Sequence, residues 1–527
     1  MEEGEVLEEH LVAATFTVED AINECGFGWF QVKATLFAGL VLTVASVIIF
    51  LLVIVSPEVR CEFSFSALEE CFITTVAFCG MICGSPIWGS LSDKYGRKKS
   101  LILCMVALFL ATLFSCFAKN YAYLLVSWGL IGLSVSGTPM ATPFYSELLP
   151  AKHRPACFMF VHVFNAIGIF FEVGVAILFT HFKLKWKLKW YWLNGVATVV
   201  VGLSLLLFLL VPESPYYLLT SGKAAKATEV LAKVAKNNGK MLPVGRLVLQ
   251  QDKNGGDDDD DDSDVEGNQL IAIKPRPEKV RRGTFRDLFA TSQQTVTTVL
   301  LCVIWMCSTF GYFGIVLLTT EILDLFDVLH AENKSDGTLW PCGVDAADFR
   351  NVTLGGQCEM LTMNDYFQFL WTSAAELPGL LLTVFLAKVM GRKKLLAVEF
   401  IASGLPIFLL FICPLNKYLM MLIVFVVRSL ITGALQAVYM YTPEVYPTAI
   451  RSLGVGFCNA VGRCGALISP FVAQVFIIRT VHGAEAVYGG MCILAGICAI
   501  FLPIETKNRE LKDVLAPKTE EKRLIIN

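Results

Sequence analysis

The chain has 527 residues and a net charge of −3; 55% of residues are hydrophobic and 17% charged, and the mean hydropathy is +0.61. A soluble protein of this size carries roughly a quarter charged residues, so the composition excludes a soluble enzyme and a nucleic-acid-binding protein and requires a chain built for a lipid bilayer. The 17 cysteines fall mostly inside apolar runs, as small packing residues, and show no metal-ligand spacing. No metal or other cofactor is expected.

Residues 1–33 are polar and acidic, with no basic start and no cleavage site, so no signal peptide is expected and the first apolar run targets the chain. Apolar runs long enough to span follow at 34–55, 72–88, 101–117, 123–144, 157–180 and 191–210. Between the first two, 57–70 reads as an acidic loop containing Cys61. The stretch 88–99, with Gly89, Asp93, Gly96 and Arg97, is too charged for the bilayer. Its glycines suit a tight turn and close helix approach. A long polar segment, 212–293, holds an amphipathic helix over 224–235 and an unbroken aspartate run, 257–262, expected to be disordered. Basic residues follow that run: Lys274, Arg276, Lys279, Arg281, Arg282 and Arg286. Six further apolar runs come at 296–318, 367–387, 395–413, 419–441, 455–478 and 487–502.

Basic turns follow the second, fourth, eighth and tenth runs, at Arg97, Arg154, Arg392 and Arg451. Positive loops stay cytoplasmic, which puts both termini inside. Lys183, Lys185, Lys187 and Lys189 lie on the opposite side by this count, against the trend. The expected division is a cytoplasmic segment 1–33, a six-helix bundle 34–211, a central cytoplasmic loop 212–293, a second bundle 294–503 with an outward loop 319–366, and a tail 504–527.

The two halves repeat. Glu147, Pro150 and Arg154 recur as Glu444, Pro447 and Arg451, all 297 residues later. The Gly96–Lys99 run recurs at Gly391–Lys394, 295 later, and Asn165-Ala166-x-Gly168 recurs as Asn459-Ala460-x-Gly462, 294 later. Pro212-Glu213 recurs loosely as Pro503 and Glu505. Matches in order at a near-constant offset mark an internal duplication, and duplicated halves in a membrane protein enclose a site between them.

With these motifs the chain resembles a major facilitator superfamily transporter. The 89–99 turn is similar to that superfamily's signature between spans two and three, and Pro212-Glu213-Ser214-Pro215 to its signature after span six. The stretches 15–21, 26–28, 439–447 and 502–507 resemble the synaptic vesicle 2-related proteins, relatives of the organic ion transporters. The resemblance implies an all-α membrane protein with the major facilitator fold, twelve transmembrane helices in two six-helix bundles. It also implies acidic residues in the first span, where Ala45 and Ile48 stand, and an arginine at the start of the fourth, where Trp128 stands. Lys388 and Tyr216 replace a usual aspartate and arginine at the turns.

A charge inside a span costs about 2.5–3.5 kcal/mol on insertion scales and faces a cavity or a partner. Glu172, Glu376 and Arg463 are such charges, on spans that flank the central cavity of the resembled fold. Trp305, Tyr312, Gln436 and Tyr439 are candidates for lining it; aromatic faces suit a cation and Arg463 an anion. Asn165 and Asn459 suit hydrogen bonds between helices. Glu399 reads as structural, and His162 is given no role. By resemblance, Arg97, Glu147, Arg154 and Glu213, and their counterparts Arg392, Glu444, Arg451 and Glu505, form a cytoplasmic gate. Asn333 and Asn351 are glycosylation acceptors in the outward loop, where Cys342 and Cys358 are placed for a disulfide. Cys61 and Cys71 form an alternative pair, or partners for those two.

No nucleotide-binding loop or catalytic nucleophile is present, so the reading is a gradient-driven transporter of a small organic ion in the lipid bilayer, with protons a candidate coupling ion. The alternative is a transporter-like vesicle or surface protein that binds ligands or partners without moving them.

Overall fold

The computed structural model describes residues 15–182, 186–248, 285–332, 361, 363–411, 417–447, 450–477 and 480–507. Asn333, Asn351, Cys342, Cys358, the aspartate run, and Lys183 and Lys185 lie outside these residues.

The first half opens with a short strand β1 (Thr15–Phe16) and helix α1 (Val18–Cys25). The helices α2 (Trp29–Phe63), α3 (Ala67–Tyr95), α4 (Arg97–Ser115), α5 (Tyr121–Val135) and α6 (Ala141–Ser146) follow. Next come α7 (Arg154–Val161), α8 (Val163–His181) and α9 (Trp186–Phe208). After them the chain forms α10 (Pro215–Thr220), α11 (Ala224–Asn237) and strand β2 (Arg246–Leu247). The second half comprises α12 (Ser292–Glu332), α13 (Met363–Ala374), α14 (Glu376–Val389) and α15 (Arg392–Ile407), then α16 (Lys417–Val445), α17 (Arg451–Pro470) and α18 (Val481–Ile500).

Among the described residues eleven helical segments are long and apolar enough to cross a membrane. The run expected at 395–413 is divided: α15 has 16 residues and passes into a 3-10 turn, Phe408–Phe411, after Pro406. Two apolar cores result. One is drawn from 25–235 with Tyr366, Phe369 and Ala466 added from the second half; the other lies within 288–502. Lipid gives packed helices no hydrophobic drive toward each other, so contact relies on small residues. Gly132 lies against the Ala77 carbonyl and Gly379 against the Ser429 carbonyl, with no room for a Cβ at either.

Three features differ from the sequence reading. First, the acidic loop at 57–70 is mostly helix: α2 runs through Pro57 to Phe63, and α3 starts at Ala67. Three of its four acids find partners on other residues of the helix bundle. Glu58 accepts a 2.9 Å bond from the Tyr366 hydroxyl, Glu62 a 2.5 Å bond from the Trp190 indole, and Glu70 pairs with Arg60 at 3.2 Å. Cys61, on the same helix end, is disulfide-bonded.

Second, several spans are broken. The eighth span breaks at Ala375, because the ring of Pro378 crowds the carbonyl four residues back, at Ala374. The fifth span breaks at His162, between α7 and α8.

Third, the amino-terminal segment is folded. β1 pairs in parallel with β2, Thr15 opposite Arg246 and Phe16 opposite Leu247. Thr17 and Asp20 form a reciprocal capping box on α1. Phe16, Ile22, Leu218, Leu231 and Leu247 make a small core of their own. The side chain of Asn238 ties this unit to α2: its Oδ1 accepts from the Phe30 amide (3.1 Å) and its Nδ2 donates to Gln31 Oε1 (2.8 Å).

Candidate functional site

Two arginines lie inside spans of the second half, in opposite surroundings. Arg428, on α16, has a counter-charge: Nη2 meets Glu376 Oε1 at 2.8 Å, Nη1 donates to the Tyr312 carbonyl at 3.2 Å, and the guanidinium sits 4.7 Å from the Tyr312 ring, while its Nε is buried without a hydrogen-bond partner. The Tyr312 hydroxyl donates to the same Glu376 oxygen at 2.8 Å. Both ionic side chains are 3% exposed. The break that starts α14 at Glu376 is what aims the carboxylate at α12 and α16. The sequence reading took Glu376 and Tyr312 as cavity residues and passed over Arg428. That residue stands in the middle of the 419–441 run, where the rule that singles out Glu376 applies equally.

Arg463, on α17, is 7% exposed and has no ion pair among the described residues; its Nε is buried without a hydrogen-bond partner. Asn459 stands one turn before it on the same helix face. Gln436 stands a turn before Tyr439 on α16. Asn459 Oδ1 and Gln436 Oε1 are likewise buried without partners. Trp305, fully buried on α12, meets Tyr439 edge-to-face at 4.5 Å and is fixed by a 3.0 Å bond from its indole to Thr442 Oγ1. Tyr439 lies within electrostatic reach of Arg463. At 1.5 Å per residue, Arg463 sits about 18 Å into α17 from the turn at Arg451.

The first half meets this cluster at His162. Its ring is 6.2 Å from Tyr439 and 5.0 Å from Phe158, which packs against the second core. Asn165 touches the same ring, its amide nitrogen 3.2 Å from Nδ1. Ten residues on, in α8, Glu172 is fully buried and neither carboxylate oxygen has a partner among the described residues. Glu399 is held by the Thr383 hydroxyl at 2.5 Å.

The charged turns form two matching networks. Arg97 pairs with Glu147 at 3.5 Å and Arg392 with Glu444 at 3.7 Å. Glu213 accepts from the Lys98 amide at 2.8 Å, and Glu505 from the Arg392 amide at 2.7 Å. The Ser214 hydroxyl donates to Glu147, and Thr506 Oγ1 to Glu444. Gly96 has φ +108° and a Cβ there would stand 2.6 Å from Glu213; Gly391 is likewise closed in by Glu505. Gly89 is different: it lies inside α3 with open space beside it, so the turn rests on Gly96 alone. Asp93 lies in the last turn of α3.

Arg154 and Arg451 each donate from Nε to the carbonyl five residues back, at 3.1 and 3.3 Å. The ionic partner of Arg154 is Glu19, at 3.0 Å, on the folded amino-terminal segment. Tyr216 stands beside them, and burial, with the Glu19 carboxylate adding to it, pushes its phenol up to about 12. Sequence reasoning missed Glu19 because the first 33 residues looked like a solvated tail.

Residues 34–328 match the family described as "Sugar (and other) transporter", and 366–525 the one described as "Major Facilitator Superfamily". The synaptic vesicle 2-related protein of Xenopus laevis is 36% identical over 499 residues, 95% of this chain and 83% of that protein. The organic cation/carnitine transporter 7 of Arabidopsis thaliana is 32% identical, covering 96% of this chain and 97% of that one. Among solved structures, the xylose transporter XylE from E. coli in a partially occluded inward-open conformation aligns with a TM-score of 0.62 at 16% identity, covering 92% of this chain and all of that one.

Proposed function

The chain belongs to the major facilitator superfamily of membrane transporters, within it to the synaptic vesicle 2-related proteins, and from that premise we propose that it moves a small organic ion across the membrane by alternating access. One observation carries this. Four buried polar atoms lie on the segments joined through Tyr439, and none has a hydrogen-bond partner among the described residues: His162 Nε2, Gln436 Oε1, Asn459 Oδ1 and Arg463 Nε. Each such group costs about 1–3 kcal/mol when left unsatisfied. A fold retains that cost where a solute supplies the missing bonds. The Arg428–Glu376 pair, in which each charge has its counter-charge, is assigned instead to holding α12, α14 and α16 together.

The duplicated turn networks are assigned to the inner gate. Their ion pairs are partly exposed and individually weak, which suits contacts that must break and re-form as the halves rock. Glu172, a carboxyl with no counter-charge, is the candidate for proton coupling, in place of the first-span acids replaced by Ala45 and Ile48. Among the relatives named above is an organic cation/carnitine transporter, which handles small organic solutes. A vesicle or surface membrane with both termini in the cytoplasm fits this reading.

Uptake into liposomes by the purified chain tests it. We expect gradient-driven uptake that Arg463→Ala abolishes. Binding across a broad ligand panel with no flux of any bound compound would replace transport by the non-transporting reading.

A further inference from the structure

His162 sits where the fifth span breaks and is 95% buried, its relative exposure being 5%. The amide of Asn165 donates to Nδ1 at 3.2 Å, which leaves the ring proton on Nε2. Nε2 is therefore a fixed donor with no acceptor among the described residues. It belongs to the first half, yet the ring faces Tyr439 of the second at 6.2 Å.

The other side of this seam already carries one cation without a counter-charge, Arg463, and its walls are aromatic: Trp305, Tyr439 and, from the first half, Phe158. An N–H donor and a guanidinium both ask for an acceptor; planar rings ask for a flat apolar body. The duplication makes the placement more telling. Asn165 and Asn459 occupy equivalent places in the two halves. In the first half the asparagine fixes a histidine, and in the second its Oδ1 is left unpartnered beside Arg463.

We infer that His162 is a substrate contact contributed by the first half, its Nε2–H donating to the carboxylate of an aromatic organic acid whose charge Arg463 holds from the second half. The inference rests on the transport reading and narrows it to an anion bridging the two halves. Because the ligand touches both, its arrival and departure bear directly on the seam that must open.

The test uses the full chain in lipid nanodiscs with three probes of one shape: radiolabelled benzoate, benzamide and benzylammonium. Wild type is expected to bind benzoate in preference to the other two. His162→Ala should weaken benzoate binding about tenfold or more, the worth of a hydrogen bond to a charged group. His162→Gln, which keeps an N–H donor, should recover most of the loss. Thermal unfolding of the unliganded variants should match wild type, so that misfolding is not mistaken for lost contact. Unchanged benzoate affinity in His162→Ala, with loss in Arg463→Gln, overturns the contact. A preference for benzylammonium, or no binding of any probe by wild type, overturns the substrate class. Benzoate binding that depends on His162, without uptake into liposomes, leaves this inference standing and removes transport instead.

Discussion

Arg428 and Arg463 are the same side chain, both buried in spans of the second half, and they do opposite things. Arg428 has a carboxylate at 2.8 Å, a carbonyl at 3.2 Å and an aromatic face at 4.7 Å. The Nε of each is buried without a partner, but Arg463 has no ion pair among the described residues, and the amide oxygen of Asn459, one turn before it, is unpartnered as well. Burial alone therefore does not identify a working residue in a membrane protein. What separates the two is whether the protein itself supplies the counter-charge: Glu376 does so for Arg428, and no described residue does so for Arg463. A charge paired by the protein is a joint between helices; an unpaired one is an invitation to a solute.

The comparison breaks most decisively at Glu376. Glu376→Gln leaves Arg428 charged and uncompensated, and stability should fall by about 3–5 kcal/mol, read as a lowered unfolding temperature in detergent. Pairing Arg428→Met with Glu376→Leu should return most of it, since apolar replacement of a buried pair is near neutral. At Arg463 the pattern reverses. Arg463→Gln should leave the unfolding temperature equal or higher, because an uncompensated charge is removed, while uptake of an anionic substrate drops about tenfold or more. Loss of stability at Arg463 equal to that at Glu376 would erase the distinction. Glu172→Gln comes next: the amide is nearly isosteric, so the fold should change by no more than about 1 kcal/mol, while uptake becomes insensitive to an imposed proton gradient. The smallest effects belong to the turns. Arg97→Ala and Arg392→Ala should each cost about 1 kcal/mol or less, since both pairs are partly solvated, and the double variant should be additive within about 0.5 kcal/mol.

The apolar runs, the duplicated turns and the glycine at 96 were legible because each is a local pattern: hydropathy over some twenty residues, or charges a few residues apart. The partners that matter most were not. Glu376 and Arg428 are 52 residues apart in the chain, and Glu58 and Tyr366 are 308 apart. No periodicity announces either pair. Pro57 reads as the end of a helix, yet α2 continues beyond it because Glu58 and Glu62 find partners on other helices. In the sequence His162 is a lone histidine within an apolar run, and nothing near it in the chain assigns it a role. The break at that position turns its ring toward α16 instead. The strand pair at Thr15 and Arg246 is two residues long, below what alternation can signal.

That strand pair also bears on how the protein is made. A ribosome releases Thr15 early, but its partner at Arg246 emerges only after all the spans of the first half have been synthesised. The amino-terminal segment must wait for them, and its partner strand is complete before Ser292 begins the next long helix. Biogenesis thus acquires a checkpoint between the halves, at which a first bundle that has inserted badly has no clasp to hold it.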